Sequence, residues 1–199
     1  EVLEAMVRWF PWAGLQSDRD ALSQILTGSN SLFLTNHRGA ADLESLQRVG
    51  VTHVLCLNGV AADNPHPSMF TYLNIEDVED EPEAAQRLRG HFQRSVEFIN
   101  SAHAKGEAVV VHCAAGISRS TTVVIAYLML QHKQHLWDAF SLVKQRRPVV
   151  WPNEGFMQHL IELDHELFPG DTTIPEQVIT PRRYHEWSVS DSESYEAAA

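Results

Sequence analysis

The chain has 199 residues, 44% of them hydrophobic, and a formal net charge of −11 at pH 7. The length and apolar content are typical of one globular domain with a hydrophobic core. The negative net charge argues against a broad basic face that would bind nucleic acid or anionic membranes. No apolar stretch reaches the roughly 18 residues of a membrane span. The two cysteines favour a reducing location, with the cytoplasm expected first and the nucleus as a second compartment.

Residues 1–23 are interpreted as an N-terminal arm. Val2, Met6 and Trp9 have rough helical spacing, which Pro11 interrupts. The arm either packs on the domain, which we favour, or binds a partner. Residues 170–199 are acidic and contain several serines, a composition that predicts a disordered tail and a second candidate partner segment. The folded domain is predicted between them, at residues 24–169.

Within this domain, apolar runs alternate with helical patterns along the chain. The runs at 31–34, 51–57, 69–75 and 108–112 predict strands. Amphipathic or apolar helices are predicted at 39–49, 84–104, 120–130, 136–146 and 154–168. The alternation predicts an α/β fold with a central, mostly parallel sheet of about five strands flanked by helices. Ligands of such sheets bind beyond the carboxyl ends of the strands, where Cys113 lies.

The segment that follows the valine-rich strand carries the candidate chemistry. Ala114, Ala115 and Gly116 are small enough for the backbone to curl with its N–H groups pointing inward, and a helix follows. A nest of this kind beside a helix N-terminus binds a dianion and favours the thiolate of Cys113, whereas a free cysteine is only a few per cent ionised at neutral pH. The planar fork of Arg119 can hold two phosphate oxygens.

A purely structural interpretation is a buried cysteine at a strand end, followed by a helix-capping Ser–Arg pair. The combination of Cys113, Gly116, Arg119 and Ser120 between a strand and a helix favours the phosphate-binding loop.

Residues 112–120, His-Cys-Ala-Ala-Gly-Ile-Ser-Arg-Ser, resemble the HCxxGxSRS signature of the dual-specificity protein phosphatases. Residues 32–34, 41–43, 50–55 and 121–130 resemble other segments of that family, and residues 152–156 resemble its PNxGF segment, although His159 stands at the position of a usual glutamine. The resemblance implies a protein-tyrosine-phosphatase-like fold and hydrolysis of phospho-Tyr and phospho-Ser/Thr through a phosphocysteine on Cys113, without metal or cofactor. It assigns phosphate binding to Arg119 and to the loop residues His112, Ala114, Ala115, Gly116, Ile117, Ser118 and Ser120.

The resemblance also implies an aspartic acid, on a loop upstream of the cysteine, that protonates the leaving group. Residues 76–83 contain six carboxylates and no cation, and such crowding favours a protonated form in whichever carboxyl is buried. The spacing to Cys113 favours Asp80, with Asp77 as the alternative acid. A third interpretation is a solvated acidic loop.

Four further residues have smaller predicted roles. We expect His112 to bond backbone near the loop, Ser120 to donate to the Cys113 sulfur, and Asn153 to brace the loop. The simpler alternatives are a core histidine, a first-turn serine and a helix N-cap. Cys56 is interpreted as a buried core thiol, with a reversible disulfide to Cys113 as the less favoured alternative.

The substrate class follows from what the loop lacks. The loop carries no lysine, which disfavours multiply charged inositol lipids, and no segment resembles the tyrosine-recognition loop of tyrosine-only phosphatases. A phosphorylated protein is therefore the expected substrate. The competing hypotheses are a phosphoprotein-binding, pseudophosphatase-like scaffold and a papain-like hydrolase that pairs Cys113 with a histidine.

Overall fold

The computed structural model of the chain describes residues 20–59 and 64–170. The predicted N-terminal arm (1–23) and C-terminal tail (170–199) lie almost wholly outside this part of the chain, and the domain boundaries therefore stay predictions. None of the helices in the two described ranges is both long and apolar enough to cross a membrane.

A five-stranded sheet forms the centre of the fold, in the order β1-β2-β5-β3-β4. The strands are β1 (Ser23–Leu26), β2 (Leu32–Asn36), β3 (Val51–Cys56), β4 (Thr71–Asn74) and β5 (Ala108–Cys113). β2, β5, β3 and β4 are parallel, and only β1 among them runs antiparallel, along β2. The mostly parallel sheet is confirmed. β1 was not predicted, because its four residues show no clear alternation of polar and apolar side chains. It forms a strand by pairing with β2.

The helices are α1 (His37–Ala41), α2 (Leu43–Arg48), α3 (Ala85–Gly90), α4 (Phe92–His103), α5 (Arg119–His132), α6 (Leu136–Arg146) and α7 (Glu154–Leu167). The helices predicted at 39–49 and 84–104 are each divided in two. Asp42 leaves the helical conformation (φ −79°, ψ 89°) and caps α2, because its side chain accepts from the Ser45 N–H. The second division falls at His91, between α3 and α4.

The two faces of the sheet have separate cores. Odd-numbered residues of β5, including Val109, Val111 and Cys113, belong to the larger core, which α3 to α7 complete. Even-numbered Ala108 and Val110 belong to the smaller core, with Leu46 of α2. Strand side chains alternate between faces, so the face on which a residue lies is set by its position along the strand. α5 is buried on every side from Arg119 to Met129, which fixes the helix that follows the predicted loop.

Candidate active site

The predicted phosphate loop connects the last residue of β5, Cys113, with the first residue of α5, Arg119. Gly116 bends it with a φ of +65°, and a Cβ at this position would lie 2.4 Å from the carbonyl oxygen of Thr35 on β2. Only glycine suits both the conformation and the close approach. Ala114 and Ala115 are exposed at the rim of the loop, and Ile117 is half-buried.

The Cys113 sulfur is buried and receives two hydrogen bonds, one from the loop and one from the first turn of α5. The Gly116 N–H donates to Sγ at 3.3 Å and the Ser120 hydroxyl donates at 3.1 Å. Both donors stabilise negative charge on the sulfur. The expected contact between Ser120 and the sulfur is therefore present in the structure.

Arg119 is buried, and its guanidinium reaches the acidic segment. Nη1 donates to the Val78 carbonyl oxygen at 3.3 Å and lies 3.8 Å from Oε2 of Glu79. Nε is buried and makes no hydrogen bond within the described residues, lying 3.9 Å from Oδ2 of Asp80. A buried N–H donor without a partner is costly, and an anion on the loop would satisfy it.

Asp80 is held against the loop by two donors. The Ser118 hydroxyl donates to Oδ1 at 2.6 Å, and the side-chain amide of Asn153 donates to the same oxygen at 2.9 Å. The Asn153 N–H in turn donates to the Ser118 hydroxyl at 3.0 Å. Both hydrogen bonds fall on Oδ1, which leaves Oδ2 directed towards Arg119.

The Asn153 side chain caps a helix and also contacts the candidate acid. Its Oδ1 accepts from the Phe156 N–H at 3.0 Å and so caps α7, while its Nδ2 reaches Asp80. One amide can do this because it carries an acceptor and two donors.

Asp77, the alternative acid, is paired elsewhere. Its Oδ1 lies 2.7 Å from Nε2 of His91, and its carbonyl oxygen accepts from Nε of Arg87 at 2.8 Å. The structure thus brings Asp80, and not Asp77, to the phosphate loop.

His112 and Cys56 lie on the sheet face opposite to Cys113. The two are register partners in β5 and β3, and strand alternation places both away from the face that carries Cys113. Neither cysteine forms a disulfide and both are buried, which agrees with a core thiol at Cys56, and the opposite faces direct the two side chains apart, contrary to a disulfide between them.

Burial lowers the pKa of His112 to about 4, against a smaller opposing effect of a hydrogen bond to the Cys113 backbone. His112 is therefore neutral near pH 7. Within the described residues no histidine ring bonds the Cys113 sulfur, whose donors are Gly116 and Ser120, and this is contrary to a papain-like Cys–His pair.

Two residues that the sequence did not single out support the loop from outside. Arg147 is buried and donates from Nε to the Gly116 carbonyl oxygen at 2.9 Å. His37, after β2, bonds the Ala114 carbonyl oxygen through its ring Nδ1 at 2.7 Å. Nothing in the sequence separates Arg147 from the neighbouring Arg146, because their difference lies in which one points inward.

A family model described as the dual specificity phosphatase catalytic domain matches residues 32–166. Among curated proteins, dual specificity protein phosphatase 22-B of Danio rerio is 41% identical over 131 residues, which cover 66% of this chain and 69% of that protein. Dual specificity protein phosphatase PHS1 of Arabidopsis thaliana is 39% identical over 137 residues, or 67% of this chain and 14% of that protein. The chain likewise spans only 21% of human Slingshot homolog 3 and 42% of mouse dual specificity protein phosphatase 2.

Solved structures show the same fold. The human tyrosine phosphatase-like serine/threonine/tyrosine-interacting protein matches with a TM-score of 0.66 and 35% identity, covering 73% of this chain and 96% of that chain. Human DUSP28 matches with a TM-score of 0.65 and 33% identity, covering 73% and 94%. With the loop geometry described above, these matches confirm the predicted resemblance, and the chain belongs to the dual-specificity phosphatase family through its catalytic domain.

Proposed function

We propose that this protein hydrolyses phosphate monoesters of phosphorylated proteins, on both phospho-Tyr and phospho-Ser/Thr, through a phosphocysteine on Cys113. One observation carries the proposal. The buried sulfur with two donors, the unpartnered Nε of Arg119 and the carboxylate of Asp80 converge on one loop. This set supplies a nucleophile, an anion-binding donor and an acid for one phosphoryl group.

In the first step the Cys113 thiolate attacks phosphorus and the bond from phosphorus to the ester oxygen breaks. Arg119 and the inward N–H groups of the loop hold the three equatorial oxygens. Asp80 donates its proton to the departing ester oxygen, from Oδ2, because Oδ1 is occupied by Ser118 and Asn153. The phosphoryl group is then bound to sulfur and Asp80 is ionised.

In the second step water attacks the phosphorus of the phosphocysteine. Asp80 accepts a proton from this water, the bond from phosphorus to sulfur breaks, and Cys113 leaves as the thiolate. The Ser120 hydroxyl, 3.1 Å from the sulfur, stabilises the charge that returns there. Inorganic phosphate then departs and the site is restored.

The proposed substrate range rests on the walls of the loop. Ala114, Ala115 and Ile117 add no positive charge for a multiply phosphorylated ring. We extend the proposal to a cytoplasmic location, with the nucleus as a second compartment, because two buried cysteines that form no disulfide suit a reducing compartment.

The test measures p-nitrophenyl phosphate and phosphopeptide hydrolysis by the wild type, Cys113→Ser, Asp80→Ala and Asp77→Ala. We expect Cys113→Ser to be inactive and Asp80→Ala to lose about 10²–10⁴-fold in kcat on phosphotyrosine peptide. Activity that survives Cys113→Ser would refute the mechanism. Full activity of Asp80→Ala with an inactive Asp77→Ala would transfer the acid role to Asp77.

A phosphoprotein-binding scaffold is the second candidate, favoured by the likeness to a structure described as a phosphatase-like interacting protein. It predicts tight binding of phosphopeptide by the wild type without release of phosphate. Turnover by the wild type excludes it, and the presence of both Cys113 and Arg119 leads us to expect turnover.

A further inference from the structure

We propose that Asp77, His91 and Arg87 form an anchor that positions the acid loop, the segment 76–81 that carries Asp80. This inference rests on the proposed function, because it gives these residues no contact with substrate. They act through Asp80 and are positioning residues.

The acid loop has few other attachments on the side of β4. Ile75 is buried, and its N–H donates to the Cys56 carbonyl oxygen at 2.9 Å. Val78 is buried and its carbonyl oxygen accepts from Arg119. The side chains of Glu76 and Glu79 are exposed. Glu79 and Asp80 face Arg119 at the start of α5, whereas the Asp77 side chain contacts His91, where α3 and α4 meet.

The anchor joins Asp77 to the break between α3 and α4. Arg87 of α3 donates to the Asp77 carbonyl oxygen at 2.8 Å, and His91 Nε2 contacts the Asp77 carboxylate at 2.7 Å. Arg87 and His91 are four positions apart, a spacing that places both on one face of the helical segment. The anchor therefore holds both the backbone and the side chain of Asp77.

The far end of the loop is fixed by close packing. A Cβ at Gly155, in the first turn of α7, would lie 2.4 Å from the Pro82 carbonyl oxygen and 2.6 Å from the Pro82 Cα. With Pro82 held on α7 and Asp77 held on α3–α4, the short backbone between them has little freedom. The anchor thereby fixes where the Asp80 carboxylate meets Ser118 and Asn153.

Loss of the anchor should displace Asp80 without changing the phosphate loop. A misplacement of about 1 Å costs up to about 10²-fold in rate, and we expect about tenfold for Asp77→Ala because Ser118 and Asn153 still hold the carboxylate. The loss falls on kcat for a substrate that needs the acid, while KM stays unchanged.

The test compares two leaving groups. Phenyl phosphate needs protonation of its leaving oxygen, and difluoromethylumbelliferyl phosphate, with an acidic leaving group, does not. Asp77→Ala and His91→Ala should each lose about tenfold in kcat on phenyl phosphate and less than about twofold on the second substrate. His91→Gln, whose amide can still donate to Asp77, should recover most of the activity.

Glu76→Ala is the matched control, since Glu76 is the adjacent exposed carboxylate and its side chain makes no hydrogen bond or ion pair with the residues that the structure describes. It should behave as the wild type on both substrates. Thermal unfolding of each variant checks that it is folded at the assay temperature.

A double variant tests whether Asp77 acts through Asp80. If Asp77 acts through Asp80, adding Asp77→Ala to Asp80→Ala should cause no further loss on phenyl phosphate. A further tenfold loss, or an equal loss of Asp77→Ala on both leaving groups, would overturn the anchor. A wild type without activity on either substrate would instead overturn the proposed function.

Discussion

At the scale of single residues, Arg119 lies between its ligand site and its own acidic neighbours. Glu79 Oε2 is 3.8 Å from Nη1, on a side chain that is 50% exposed. A phosphate dianion bound to Arg119 would place a second negative charge on the guanidinium that this carboxylate already faces, so the two negative charges compete for one cation.

We predict that Glu79→Gln strengthens the binding of inorganic phosphate. A half-exposed ion pair is worth up to about 1 kcal/mol, so the inhibition constant of phosphate should fall by about twofold to fivefold. The measurement is competitive inhibition at fixed pH and ionic strength. Glu83→Gln, an exposed carboxylate of the same segment, should leave the constant unchanged. Weaker phosphate binding by Glu79→Gln would show that Glu79 orients Arg119 instead.

At the scale of elements, the loop depends on contacts between parts of the chain that are far apart in sequence. Arg147, after α6, donates to the Gly116 carbonyl oxygen in the loop and to Ser23 Oγ at the start of β1. It thus joins the loop to the edge strand. The Trp151 N–H adds a hydrogen bond to the Ile117 carbonyl oxygen at 2.8 Å.

We predict that Arg147→Met lowers the free energy of unfolding by about 2–4 kcal/mol, because buried carbonyl oxygens lose their donors. Urea unfolding measures this loss. Arg147→Lys should recover little of it, since an ammonium cannot reproduce the planar fork. The activity of Arg147→Met should fall equally for good and poor leaving groups, in contrast to the anchor variants. Wild-type stability of Arg147→Lys would contradict this role.

At the scale of the whole molecule, buried histidines make stability depend on pH. Burial lowers the pKa of His53 and His103, and it lowers that of His112 to about 4. Unfolded histidine has a pKa of about 6.5. Below pH 6.5 each of these histidines binds a proton in the unfolded chain but not in the folded chain. These histidines therefore lower the free energy of unfolding as the pH drops from about 6.5 towards 4, and they leave it nearly unchanged above pH 6.5.

We predict that His112 alone lowers the free energy of unfolding by about 2 kcal/mol between pH 7 and pH 5, given a pKa of about 4 in the folded chain and about 6.5 in the unfolded chain. Urea unfolding at pH 7 and pH 5 should show a smaller difference for His112→Asn than for the wild type. His165→Asn, which changes an exposed histidine, should keep the wild-type difference. A wild-type difference in His112→Asn would refute the prediction.

The sequence by itself determined the phosphate loop and the mostly parallel α/β fold. The loop is local: a valine strand, three small residues and a buried helix follow one another, and their geometry depends on neighbours within a few positions. The hydrophobic periodicity that predicts the strands and helices also depends only on residues a few positions apart. It did not predict that two of the helices are divided, at Asp42 and at His91.

Only the tertiary structure decided which acid meets the loop and which thiol does not. Asp80 and Asp77 are the same residue type and lie at similar distances in sequence from Cys113. They differ because packing turns Asp80 towards Ser118 and Asp77 towards His91. Cys56 is separated from Cys113 by the strand register, which places it beside His112 on the opposite face. Arg147 acquires its role from a contact across 31 positions. Such contacts depend on register and helix packing over the whole domain, which no local pattern encodes.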